Sequence, residues 1–166
     1  MCGRYVSVRS DADIVAEYDA VVADTDEAYV ADFNIAPTKP VRTIVNRPLR
    51  GPDGSRATEP TRQLRVMAWG LVPSWSKDRK GAARMINARV ESVTDKPAFR
   101  SAYAKRRCLI PADGWYEWRT VDGPDGPMRG MHIATTRPEV VITTAAPLGF
   151  SGWKTSSVRA RPSRRP

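Results

Sequence analysis

Hydrophobic and polar residues alternate in several short segments of the chain, a period typical of half-buried β-strands. The alternation and the apolar runs predict strands over residues 1–8, 41–46, 64–69, 85–90, 108–111, 114–118 and 140–144. Helical spacing occurs at Ile14, Val15 and Tyr18, and it predicts a short helix over 11–20. Ser10 fits the N-cap of this helix, with Asp13 at the third helical position of a capping box.

A second helix is predicted to begin at Pro97, because proline suits the first helical turn. Thr94 or Asp95 is its expected cap, and the basic residues 105–107 suit its carboxyl end. The many prolines and glycines of residues 47–62 predict a loop. Strands with few, separated helices indicate an α+β fold with a largely antiparallel sheet.

Composition and charge narrow the class of protein. The 166 residues carry a net charge of +9, which favours a polyanionic partner such as nucleic acid. We expect one domain over 1–150 and a disordered tail over 151–166, because this tail has Lys154 and four arginines but no acid. No apolar run reaches the length of a membrane span. The charged first 20 residues do not fit a signal peptide, so a cytoplasmic location is expected.

The cysteine and histidine counts exclude several kinds of site. Two cysteines cannot build a disulfide scaffold or a four-thiolate zinc site. The single histidine, His132, excludes histidine-rich metal sites. We therefore expect no metal and no cofactor.

Cys2 becomes the N-terminal residue if Met1 is removed. An N-terminal cysteine carries an α-amine and a thiol, both of which deprotonate more readily than a lysine amine. Together these two nucleophiles suit an aldehyde, since the amine forms a Schiff base and the thiol closes a thiazolidine ring. The alternative is a small buried hydrophobic residue near a chain end.

Three further segments offer candidate chemistry. In the strand predicted over 85–90, Asn87 and Arg89 would share a face and could hold a sugar-phosphate. Glu117 lies among three large aromatics, so partial desolvation would make it a candidate general acid or base. The two tryptophans of loop 69–75 could stack on bases. Each segment has a structural alternative: an ordinary half-exposed strand, an exposed glutamate, and core tryptophans around a turn.

Six motifs in order resemble the SOS response-associated peptidase family, the family of abasic-site sensors. They are MCGRY at 1–5, FNIAPT at 33–38, WGLVPSW at 69–75, INARVES at 86–92, KPAF at 96–99 and RCLIPADGWYEW at 107–118. The resemblance covers residues 2–118. It implies a barrel-like, mostly antiparallel α+β core, incomplete at the carboxyl end.

The resemblance also implies an activity. Members of the family bind single-stranded DNA, crosslink abasic sites through the N-terminal cysteine and remove their own initiator methionine. It assigns catalysis to Cys2, Asn87 and Glu117. It assigns the DNA-binding surface to Arg4, Asn34, Pro37, Trp75, Arg89 and Trp118. The expected partner is single-stranded DNA with abasic sites, and a monomer is expected.

The resemblance fails after Trp118. The family's catalytic histidine follows a threonine- and alanine-rich strand, and no histidine follows residues 141–146 here. His132, which precedes that strand, is the candidate substitute. We expect a truncated or frameshifted carboxyl part and a slow or poorly reversible crosslinking reaction. Two other functions stay open: a remnant that only binds single-stranded DNA, and an N-terminal-cysteine amidohydrolase.

Overall fold

The structure, a computed structural model, describes residues 3–23, 30–73, 75–76, 78, 81–124, 126–134, 141–143, 146–147 and 157–158. The helices are α1 (Asp11–Tyr18) and α2 (Arg100–Lys105), and a short 3-10 helix covers Ala82–Arg84. The strands are β1 (Tyr5–Ser7), β2 (Val21–Val22), β3 (Asp32–Ile35), β4 (Pro40–Arg50), β5 (Arg56–Ala68), β6 (Cys108–Ile110), β7 (Gly114–Gly123), β8 (Gly126–Ala134), β9 (Val141–Thr143), β10 (Ala146–Pro147) and β11 (Ser157–Val158).

These strands form two sheets. The first has the antiparallel order β3-β1-β7-β8. The second has the order β10-β5-β4-β6-β9-β11, and β2 pairs with β5 in parallel. The α+β prediction is therefore confirmed. Within the described residues the sheets do not close into a barrel.

The two sheets meet at a cluster of buried apolar residues. Tyr5 of β1 packs edge-on against Trp69, with ring centroids 5.3 Å apart and an interplanar angle of 80°, a favourable aromatic arrangement. The other buried members of this junction cluster are Ile35, Val41, Ile110 and Ala112. Since its members come from both sheets and from the ends of strands, the cluster fixes the position of β1 over β4 and β5.

Helix α1 begins as predicted. The Ser10 side chain accepts a hydrogen bond from the Asp13 N–H, and the Asp13 carboxylate accepts one from the Ser10 N–H. The hydrogen bonds with Ser10 hold the pKa of Asp13 below its usual range. The buried Ile14 packs against Ile44 and Leu64, so α1 covers one face of the β4–β5 hairpin.

The predicted loop over 47–62 is wrong. Both strands continue through it, and only residues 51–55 form the connection between β4 and β5. Pro48 and Pro60 face each other across the hairpin. Proline is tolerated where its nitrogen is not needed in the ladder, and no other described strand pairs with this end of the hairpin.

Two other predictions over residues 85–107 need correction. Residues 85–90 are not a strand but turns and an isolated bridge. Met85 packs against one buried cluster while the adjacent Ile86 packs against the junction cluster, so the chain turns there. The second helix begins at Arg100, not at Pro97, because Lys96 first closes a turn by accepting hydrogen bonds from Phe99 and Arg100. Thr94 and Asp95 do not cap it.

The carboxyl part of the chain is described only in pieces. The predicted strand over 140–144 corresponds to β9, which pairs with β6. The predicted tail over 151–166 lies outside the described residues, except that Ser157–Val158 form β11 against β9. Among the described residues, no helix has the length and apolarity needed to cross a membrane.

Gly70 permits a close approach of two segments where β5 ends. Its φ is +137°, and a Cβ there would stand 2.7 Å from the carbonyl oxygen of Ala82. The next residue, Leu71, donates its N–H to the Met85 carbonyl at 3.1 Å. This contact holds the 81–87 segment against the junction cluster.

We predict that Gly70→Ala destabilises the fold by about 1–3 kcal/mol, because it combines a strained φ with a backbone clash. Gly81→Ala is the control, since a Cβ there meets only the Met85 Cε at 3.8 Å. Urea unfolding of both variants measures the difference. Equal losses for the two variants would show that the Gly70 approach is not required.

Candidate functional site

Strand β1, close to the start of the chain, lies inside the first sheet between β3 and β7. Tyr5 pairs with Ile35 of β3 on one side and with Trp115 of β7 on the other. The Tyr116 N–H donates to the Arg4 carbonyl at 3.0 Å. Residues 4–7 are therefore held on both sides, unlike the frayed termini of most domains.

A single carboxylate secures the other end of β1. Asp113 Oδ2 accepts hydrogen bonds from the Val8 N–H at 2.6 Å and the Arg9 N–H at 3.3 Å. Asp113 Oδ1 lies 2.6 Å from Arg9 Nε, and the Asp113 N–H donates to the Val6 carbonyl. Burial alone would lower the pKa of Arg9, but the carboxylates of Asp113 and Glu17 raise it above its usual value.

Glu117 lies on the face of β7 that is turned toward the junction cluster. It shares this face with Trp115, which packs against that cluster. The Glu117 side chain is half-buried and its Oε1 is shielded from solvent.

Arg4 and Asn34 meet on the opposite, outer face of the same sheet. Arg4 Nη1 donates to Asn34 Oδ1 at 3.0 Å. Asp32 holds the Asn34 backbone by accepting its N–H at 2.7 Å, and it also accepts from Lys39 Nζ. The hydrogen bonds from Lys39 and from the Asn34 N–H keep the pKa of Asp32 below its usual range.

Asn87 approaches this region from the loop that follows the 3-10 helix. Its neighbour Ile86 packs against the junction cluster, which contains Tyr5, and Asn87 itself is half-buried. Arg89 is exposed in a turn, where its carbonyl accepts from the Ser92 N–H. Because residues 85–90 are not a strand, the predicted common face of Asn87 and Arg89 is wrong.

Pro37 and Trp75 lie on two loops beside the site. Pro37 belongs to the turn that leads to Thr38, whose N–H donates to the Trp69 carbonyl at 2.8 Å. Thr38 has a φ of 72°, a strained conformation for a β-branched residue. Trp75 is 62% exposed. No described contact joins Trp75 to the other predicted site residues.

Of three predicted or candidate residues, the structure describes the backbone alone or nothing. Cys2 lies outside the described residues, and so does the side chain of Trp118. His132 occupies the register position opposite Glu117 in the β7–β8 pair, while its side chain also lies outside the described part of the chain.

Sequence reasoning missed three residues that shape the site. They are the anchor Asp113, the 66% exposed Phe33 and Tyr116, whose hydroxyl donates to the Phe33 carbonyl at 2.7 Å. Asp113 and Tyr116 both lie in the motif that contains Glu117, so the motif itself was the available signal. Phe33 likewise begins the motif at 33–38, but its type alone does not indicate exposure, because an aromatic in a short strand is equally compatible with burial.

The fold and sequence relatives decide the family. The chain matches the family described as SOS response associated peptidase (SRAP) over residues 1–154, so the match extends past Trp118, where the resemblance was expected to end. The chain belongs to the SRAP family. Among sequence relatives, it is 38% identical over 122 residues to the abasic site processing protein YoaM of Bacillus subtilis, which covers 74% of this chain and 49% of YoaM.

Two solved structures share the fold of this SRAP chain. A protein from Bacteroides thetaiotaomicron aligns with a TM-score of 0.61 and 18% identity, covering 95% of this chain and 66% of that chain. A phage-related protein from Bordetella bronchiseptica aligns with a TM-score of 0.57 and 25% identity, covering 95% of this chain and 68% of that chain. The SRAP chain thus spans about half the length of YoaM and about two thirds of these structures.

We predict that Asp113→Ala destabilises the SRAP fold by about 1–3 kcal/mol, because it leaves the Val8 and Arg9 donors without their acceptor. Asp122→Ala removes an exposed carboxylate of β7 and serves as the control. Urea unfolding compares the two variants. A loss for Asp113→Ala no greater than that of the control would contradict the anchoring role.

Proposed function

We propose that this chain processes abasic sites in DNA by trapping their aldehyde with Cys2 after Met1 is removed. Membership of the SRAP family supports this proposal, as does the name of YoaM. The observation that carries it is the hydrogen bond of the Arg4 carbonyl to the Tyr116 N–H of β7, one residue before Glu117. Because only Gly3 separates Cys2 from Arg4, the amine and thiol of Cys2 can lie only a short distance from Arg4.

The proposed chemistry begins with hydrolysis of the Met1–Cys2 peptide bond, which frees the α-amine. The Cys2 amine adds to the aldehyde carbon of the ring-opened sugar, and loss of the carbinol oxygen as water forms a C=N bond. The Cys2 sulfur then adds to the same carbon while the nitrogen takes up a proton. The product is a five-membered thiazolidine ring that joins protein and DNA.

Glu117 is the proposed general acid and base in these steps. Ring opening, loss of water and closure of the thiazolidine each move a proton, and a half-buried carboxyl group can exchange protons with the reacting atoms. Asn87 is proposed to orient the amine and the sugar through its side-chain amide, which can both donate and accept hydrogen bonds. Its half-buried position beside the junction cluster supports a fixed orientation.

The proposed DNA contacts lie around the chain start. Arg4 offers a charged donor for phosphate, and its bond to Asn34 orients it. The exposed rings of Phe33 and Trp75 are suited to stack on unpaired bases. These features favour single-stranded DNA, because bases in a duplex are already stacked. Pro37, Arg89 and Trp118 complete the proposed surface by their place in the family motifs.

We predict that Cys2→Ala abolishes the covalent adduct with a single-stranded oligonucleotide that contains an abasic site. Cys108→Ala removes the buried thiol of β6, and this variant should still form the adduct. A denaturing gel detects the adduct, and the intact mass of the protein shows whether Met1 is removed. An adduct that persists in Cys2→Ala, or one formed with Met1 retained, would contradict the thiazolidine.

The same assay separates the two other functions. Salt-sensitive binding of the oligonucleotide without an adduct would indicate a remnant that only binds DNA. Turnover of a small amide, with neither binding nor adduct, would indicate an amidohydrolase.

We predict that Glu117→Gln slows adduct formation by roughly 10²–10⁴-fold, the usual contribution of a general acid or base. Glu91→Gln changes an exposed carboxylate and should leave the rate within about twofold, since a solvated group makes no catalytic contact. Single-turnover time courses on denaturing gels give both rates. Equal rates of adduct formation for the two variants would contradict the role of Glu117 as general acid and base.

A further inference from the structure

Strand β3 carries one extra residue where it pairs with β1. Tyr5 pairs with Ile35, whereas Ser7, two residues further along β1, pairs with Asp32, three residues back along β3. The extra residue makes a β-bulge, a feature that redirects side chains out of their usual alternation. The bulge falls at residues 33–34, between these two pairs.

Both residues of the bulge are exposed, although the side chains of a strand usually alternate between its two faces. Phe33 and Asn34 follow the half-buried Asp32 and precede the buried Ile35. Phe33 belongs to none of the buried clusters of the described residues. Burial stabilises a fold in proportion to the apolar area removed from water, so the exposed Phe33 ring adds little to stability.

Three contacts nevertheless hold the bulge in place. The Tyr116 hydroxyl donates to the Phe33 carbonyl at 2.7 Å. The Asp32 carboxylate accepts the Asn34 N–H at 2.7 Å, and Arg4 Nη1 donates to Asn34 Oδ1 at 3.0 Å. Because the backbone around Phe33 is already ordered, a ligand that binds its ring loses less free energy in ordering it.

Tyr116 reaches the bulge across β1. Since β1 lies between β3 and β7, the Tyr116 side chain crosses β1 to reach Phe33. It crosses on the outer face, because Tyr116 alternates along β7 with Trp115 and Glu117 of the inner face. Neighbouring strands are about 4.8 Å apart, so a nucleotide at Phe33 on β3 is adjacent to one held by Arg4.

The outer face thus combines an aromatic ring with a cation. A nucleotide offers a base to the Phe33 ring and a phosphate to the Arg4 guanidinium. The bases of a duplex are already stacked on one another, so an unpaired base fits the ring better. The occupant with this chemistry is a nucleotide of single-stranded DNA.

We propose that Tyr116 is a positioning residue for base stacking: its hydroxyl holds the Phe33 main chain so that the Phe33 ring stacks on the base next to the abasic site. This inference rests on the proposed function, in which Arg4 binds DNA beside the lesion. An abasic nucleotide has no base of its own, so the ring stacks on a neighbouring base. Every base has a face on which a ring can stack, and the two-ring purines offer the larger one.

The test compares Tyr116→Phe, which removes only the hydroxyl, with Tyr103→Phe, the same change in a half-buried tyrosine of α2 that packs against a different cluster. Phe33→Ala removes the ring itself. The probes are two single-stranded oligonucleotides of about 12 nucleotides, within common site sizes. Each carries a central tetrahydrofuran, an abasic analogue without an aldehyde. One has an adenine on each side of it, and the other has a further tetrahydrofuran on each side.

Fluorescence anisotropy at several salt concentrations gives the ratio of the two affinities. We expect the wild type to bind the adenine-flanked oligonucleotide at least about fivefold more tightly, the lower end of the contribution of one stacked base. Phe33→Ala should lose this preference, and Tyr116→Phe should reduce it by about threefold, a typical effect of one hydrogen bond. Tyr103→Phe should keep the wild-type ratio. The salt slopes should all agree, since no substitution alters a charge.

The ratio of affinities separates a positioning role from a structural one. Both oligonucleotides bind the same folded protein, so a loss of stability, measured by urea unfolding, weakens both equally and leaves the ratio unchanged. A Tyr116→Phe variant with the wild-type ratio would therefore overturn the proposal. So would a wild type that binds both oligonucleotides equally, or that binds neither.

Adduct formation with an oligonucleotide that contains an abasic site is measured separately. If the wild type forms no adduct, the proposed aldehyde chemistry fails, and the affinities for the tetrahydrofuran oligonucleotides still decide the role of Tyr116. If the adduct forms but the preference for flanking adenines is absent, the proposed function stands and the positioning role of Tyr116 fails.

Discussion

The carboxylate of Asp113 is the interaction on which the site depends. Asp113 directly precedes β7, and its carboxylate binds the two residues that follow β1. It accepts backbone hydrogen bonds from Val8 and Arg9 and forms an ion pair with the Arg9 side chain. Its effect is to set the register of β1 against β7, since a slip of one residue would exchange the two faces of the strand. In the observed register Tyr5 enters the junction cluster and Arg4 faces outward.

This register divides the site into two faces with different chemistry. The inner face carries the half-buried Glu117, on the same side of β7 as Trp115, which packs against the junction cluster. The outer face carries Arg4, Asn34 and the exposed Phe33. In the proposed function, the inner face supplies the proton-transfer group and the outer face supplies the contact with the polyanion.

Sequence patterns were sufficient to predict the features whose partners lie close together in the chain. The Ser10–Asp13 capping box was predicted because its two partners are three residues apart, and the motif around Glu117 was found as a contiguous segment. The far end of the β4–β5 hairpin was missed because Pro48 and Pro60 suggest a loop, whereas both are tolerable where no other described strand needs their N–H. The 85–90 segment alternates like a strand, but its apolar residues serve two different clusters. Contacts such as Tyr116 with Phe33 join residues 83 positions apart, which no local pattern reports.

The structure holds β1 and the preceding Arg4 carbonyl against β7, with β3 on the other side of β1. Native-state hydrogen exchange at the Tyr116 and Asp113 amides tests it most directly, because these amides donate to the Arg4 and Val6 carbonyls. The account predicts protection comparable to that of the central β4 and β5 amides, which open only with the fold as a whole. Exchange of the Tyr116 and Asp113 amides at the rate of an unstructured peptide, while β4 and β5 stay protected, would contradict it.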